Sequence, residues 1–307
     1  MSRALVASVG YVLIYGGCLA VLLTAPGFDA SEVAAVLLLL GVAPALAAWL
    51  ATIGATPRAQ PVHEPARELS WIALLLVAIG VGFLGYGLSA VRAAVTNEPA
   101  RSVAILTAKL AVMVWVPALV FRRLGYSWRQ LFEFPGLDWI ELRTLLVMMG
   151  LFSIIQLRFG RGPQAIGTLM AEYELSAWQV IAMALPVWAW LAVEAGLVEE
   201  FLFRALLQSR MAAWLRSPVA GVLGMSVLFA LAHAPGYVLR GAHTVEGMAR
   251  PPEVLSAAAY AMVMLSPIGV AFGILWARTR NLTLVVVLHG WGDLIPNLAP
   301  LIRAFAS

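Results

Sequence analysis

The chain has 307 residues, 62% of them hydrophobic and only 12% charged, about half the roughly 25% charge of a soluble domain, which argues against a soluble fold. Its twenty basic side chains are nineteen arginines and one lysine, Lys109, scattered without a basic tail, so a net charge of +4 does not describe a nucleic-acid surface. The lone cysteine, Cys18, has no partner for an intramolecular disulfide and reads as a packing residue.

Charge-free runs that are continuous rather than alternating predict membrane-spanning helices, not barrel strands. About 20 apolar residues cross a bilayer, and runs of that kind fall near 4–24, 32–55, 69–91, 102–121, 140–158, 177–198, 218–235, 254–277 and 282–302. The first follows Arg3 and is longer than a signal peptide's apolar core, so it reads as a retained span. The stretch "TPRAQPVHEPARE" (56–68) reads as a loop, and 122–138 as an amphipathic interfacial piece closed by Pro135-Gly136. The expected fold class is all-α, a polytopic helical membrane bundle of eight or nine helices. It forms one membrane domain over 1–307, with no internal repeat and no linker long enough to separate soluble domains.

Orientation follows from arginine placement. Arg3, Arg58, Arg67, Arg122, Arg123, Arg129, Arg204, Arg210, Arg216, Arg278 and Arg280 fall on one side. Arg92, Arg101, Arg158, Arg161, Arg240 and Arg250 fall on the other, together with Asp29, Glu32, Glu172 and Glu174. The bias predicts a cytoplasmic N-terminus.

Ionisable groups inside spans are costly and point to function by default. Glu194, Glu199, Glu200, Arg204, His233, His289 and Asp293 lie in or beside the last four spans, and Lys109 lies in the fourth. Glu200 and Arg204 are four residues apart, in the favourable acid-before-base order, and can neutralise one another as a structural ion pair. Glu199 is rotated about 100° from that face and needs another use, unless it only marks the watery end of a span. His233 closes "FALAHAP" and, as a lone histidine at a helix end, reads more readily as a hydrogen-bonded structural group than as a catalyst. His289 and Asp293 share one face of an apolar span, either as an isolated buried pair or as part of a site. Glu194 and Lys109 are read as structural.

Three of these segments, "EEFLFR", "FALAH" and "HGWGD", resemble in order the signature motifs of the CAAX-protease and bacteriocin-processing family of intramembrane endopeptidases: Glu-Glu-x-x-x-Arg, Phe-x-x-x-His, and His-x-x-x-Asn or Asp. The resemblance covers about 177–302 as a catalytic core, whereas 1–158 is less specific. It departs at Ala205, where many members carry glycine, and at Asp293, where the prenyl-protein endopeptidases carry asparagine.

The resemblance implies that Glu199 is the general base on a hydrolytic water, with His233 holding the same water. Glu200 with Arg204 would fix the helix face, and His289, with Asp293, would serve the oxyanion. It favours a mechanism with no cofactor. Two histidines and a glutamate also make a catalytic zinc set, here drawn from three helices without a His-Glu-x-x-His nucleus. A non-enzymatic transporter or immunity protein is the remaining alternative, although the paired repeats of a transporter are absent from the sequence. The expected substrate is a membrane-associated protein or peptide, and the alanine- and arginine-rich composition suggests a bacterial cytoplasmic membrane.

Overall fold

A computed structural model describes residues 1–25, 28–240 and 252–306; Arg250 of the orientation argument lies outside them. Among the described residues, nine helices are long and apolar enough to cross a membrane. They are α1 (Arg3–Leu23), α2 (Ser31–Ala51), α3 (Pro65–Ala94), α4 (Glu98–Arg123), α5 (Trp139–Phe159), α6 (Ala177–Trp214), α7 (Pro218–Leu239), α8 (Val254–Thr279) and α9 (Leu282–Ala306). No strand occurs among the described residues, so the fold is the expected polytopic helical bundle.

The largest difference from the sequence reading is in α6. The apolar run near 177–198 does not end before the charges but continues as helix to Trp214, which places Glu199, Glu200 and Arg204 within one long element. Two stretches of it, Ala192–Leu197 and Glu200–Gln208, are wound as π-helix. Such wide turns are rare and frequent at functional sites. They free backbone carbonyls, and side chains take them up: Ser209 donates to the Arg204 carbonyl, while Gln60 and Arg210 both donate to that of Ala205. Gln60 comes from the loop expected at 56–68, which ends earlier, at residue 64, because Pro65 already opens α3; the loop is tucked against the end of α6.

The 122–138 segment contributes a single helical turn, Trp128–Leu131, opened by a Ser127/Gln130 capping box. A further helix, Gly162–Glu172, forms where no element was expected. Pro163 starts it, and Gly162 lies against Ile295 of α9, leaving no room for a Cβ.

The last four spans share one core. Phe201, Leu202 and Leu206 of α6 join Met225 and Phe229 of α7, Phe272 and Leu275 of α8, and Leu284 and Leu288 of α9. α8 packs along α7 and against α2, α9 packs on α4, α5 and α6, and α1 lies outside against α7 and α8. Cys18 packs beside Leu22, Val33 and Tyr260. Two glycines bring α6 and α9 to backbone contact. A Cβ at Gly290 would lie 2.6 Å from the Ala192 nitrogen, and one at Gly196 would lie 2.6 Å from the Val286 carbonyl oxygen. Backbone cannot yield as a flexible side chain does. Gly290→Ala is therefore expected to cost about 1–3 kcal/mol through overpacking and to shift His289 away from α6, measurable as a lower melting temperature in detergent.

Candidate active site

The first motif offers its charges from a helix whose inner face is fully enclosed. Glu200 is 0% and Arg204 1% exposed, so neither can rely on water. Arg204 Nε approaches Glu200 Oε2 at 3.2 Å, an ion pair rather than an aligned hydrogen bond. The guanidinium carbon sits 4.4 Å from the ring centroid of Phe229 and 5.6 Å from that of Phe272. Aromatic faces thus supply what the missing solvent would have given.

Glu200 is not reserved for Arg204. Its other oxygen, Oε1, accepts from His289 Nδ1 at 2.7 Å, across 89 positions of sequence. The sequence reading left Glu200–Arg204 as a self-contained pair and gave His289 to Asp293. The geometry instead makes Glu200 the bridge between the first and third motifs, because only Nδ1 lies within hydrogen-bonding distance of a carboxylate. Asp293 Oδ2 stands 3.7 Å from the opposite nitrogen, Nε2. It is near but not bonded.

The second motif enters from α7. His233 Nδ1 meets the Phe229 carbonyl at 2.8 Å. A carbonyl can only accept, so Nδ1 carries the proton, and Nε2 is the free lone pair of the neutral ring. That nitrogen faces Glu199 Oε2 at 3.9 Å, and His289 Nε2 faces the same oxygen at 3.8 Å. All six residues singled out in the sequence therefore meet in one cluster. Its inner half is sealed, while the outer groups are open, with Glu199 21%, His233 29% and Asp293 40% exposed.

Residues outside the six complete the frame. Phe229 supports Arg204 with its ring, meets the His233 ring edge-on at 4.8 Å, and orients that ring through its carbonyl. Its spacing of four from His233 was the signal available in the sequence. Phe272 stands between Arg204 and His289. Lys109 pairs with Glu194 across 85 positions. On α9, Pro296 has no N–H for the Gly292 carbonyl four residues earlier, and Gln156 Nε2 fills the gap at 2.6 Å. Among the described residues no group of three or more His, Cys, Asp or Glu side chains is arranged to hold a metal ion.

Comparison with known proteins gives a family match. Residues 181–295 match the family model described as Type II CAAX prenyl endopeptidase, Rce1-like, a stretch that contains all three motifs. No curated protein and no solved structure matches the chain.

Proposed function

We propose that the cluster hydrolyses a peptide bond by glutamate-activated water, a reading supported by the match of residues 181–295 to the CAAX prenyl endopeptidase model, which describes a family of membrane proteases. One observation carries this reading. Three gaps of 3.7–3.9 Å converge on Glu199 Oε2 and His289 Nε2. Each is too long for a direct hydrogen bond, and a water placed to one side of the pair can reach both of its atoms.

A water between Glu199 and His233 gives its proton to Glu199 while its oxygen attacks the carbonyl carbon. The developing oxyanion accepts from His289 Nε2–H. For both nitrogens of His289 to donate, the ring must be cationic, and Glu200 at Nδ1 with Asp293 beside Nε2 counterbalances that charge. As the C–N bond breaks, the proton held by Glu199 passes to the leaving nitrogen, directly or through His233. Arg204 stays out of the chemistry and fixes Glu200.

The substrate proposed is a membrane-associated protein or peptide, cleaved in a bacterial cytoplasmic membrane with the N-terminus of the enzyme in the cytoplasm. The test is purified protein in lipid vesicles with membrane-anchored peptides, read by mass spectrometry for new termini. Cleavage should survive a strong chelator. Loss on chelation, with recovery on stoichiometric zinc, would hand the site to a metalloprotease mechanism instead.

Asp293 gives a graded prediction in that assay. Asp293→Asn removes a counter-charge of His289 but supplies an amide donor, so turnover should fall by about 5- to 30-fold, or ~1–2 kcal/mol of barrier. Asp293→Ala supplies neither and should lose ~3 kcal/mol, as for an oxyanion donor. Equal turnover of the two variants would remove Asp293 from the oxyanion site.

A further inference from the structure

On the far side of α7 from the core, α1 and the start of α7 leave an open groove of about 790 Å³. Its walls are apolar, with Val6, Gly10 and Ile14 of α1 opposite Leu223 and Val227 of α7. One end carries Arg3 and Arg216, with Trp214 beside them. Arg3 spends one N–H on the Leu215 carbonyl at 3.1 Å. No carboxylate lines the groove, and neither arginine forms an ion pair among the described residues. Arg216 holds this place in a left-handed backbone conformation, φ 47°, that non-glycine residues adopt at some cost.

We propose that this groove binds a phospholipid with a net-negative headgroup, one acyl chain lying between α1 and α7 and the phosphate held by Arg3 and Arg216. Two unpaired guanidiniums at the mouth of an apolar slot offer fork-shaped donors for phosphate oxygens, and hydrocarbon is the solvent available to fill the slot. The consequence is architectural. α1 is largely exposed along its length, and the groove joins it to Trp214 at the end of α6 and to the start of α7, the helices that carry the first two motifs. A bound lipid therefore ties α1 to the catalytic half. The inference stands apart from the proposed hydrolysis and needs no cleavage assay.

The test uses the full chain, delipidated in a neutral detergent. Native mass spectrometry measures retention of phosphatidylglycerol against phosphatidylcholine, with soluble glycerol phosphate as a headgroup-only control. The wild type should prefer phosphatidylglycerol by roughly tenfold or more, the scale two arginines at a surface supply. An Arg3→Gln/Arg216→Gln variant should lose the preference. Gly10→Phe, where a Cβ meets nothing within 4 Å, should fill the slot and reduce retention of both lipids with the arginines intact. Equal retention by the wild type, an undiminished preference in the arginine variant, or full retention in Gly10→Phe would each overturn the proposal. Displacement by glycerol phosphate alone would overturn it too, because a phosphate site would then suffice without an acyl groove.

Discussion

Arg204→Ala is expected to lower stability by about 3–5 kcal/mol, the cost of breaking one side of a buried ion pair. Glu200 is fully enclosed, its Oε1 is taken by His289, and among the described residues its Oε2 faces Arg204. Removing the guanidinium strands that oxygen and opens a void against the rings of Phe229 and Phe272. Protein levels and the melting temperature in detergent should both fall. Glu200→Gln in the same chain replaces the stranded charge by a neutral amide, so part of the stability should return. Turnover should not, because a neutral amide cannot balance a cationic His289. Identical melting of the single and double variants would show that the charges of Glu200 and Arg204 are solvated and not interdependent.

The nine spans were legible because each is a long apolar run of membrane length with few charges. The end of α6 was not. Glu199, Glu200, Arg204, Gln208, Ser209 and Arg210 interrupt its hydropathy, and what keeps it helical and buried is supplied from far away. Arg210 reaches Glu68, itself held by Tyr126, and Ser209 meets Gln60 and the Trp276 indole. None of these partners is within a turn or two of the residue it satisfies, so local periodicity carries no trace of them.

The same limit applies inside the site. The relations legible in the sequence were short-range: Glu200 with Arg204, and His289 with Asp293, each one turn apart. The contact that joins the motifs, His289 with Glu200, spans 89 positions. Glycines at 196 and 290 carry no local signal in the sequence, although α6 and α9 reach backbone contact through them. Lys109 and Glu194 read separately as structural groups in the sequence; in the fold they are partners.

Glu199 is the residue on which the account turns. Its Oε2 is the atom both imidazole Nε2 nitrogens face, at 3.8 and 3.9 Å, and its exposure leaves room for a water. Glutamine keeps the shape and the hydrogen-bonding capacity but cannot accept the proton of that water. General-base removal costs about 10²- to 10⁴-fold in rate. The decisive measurement is turnover of one membrane-anchored peptide by Glu199→Gln and wild-type protein in the same vesicles, with melting temperatures compared alongside. The account predicts a loss of that size with melting unchanged. Wild-type turnover by a folded Glu199→Gln protein would contradict it.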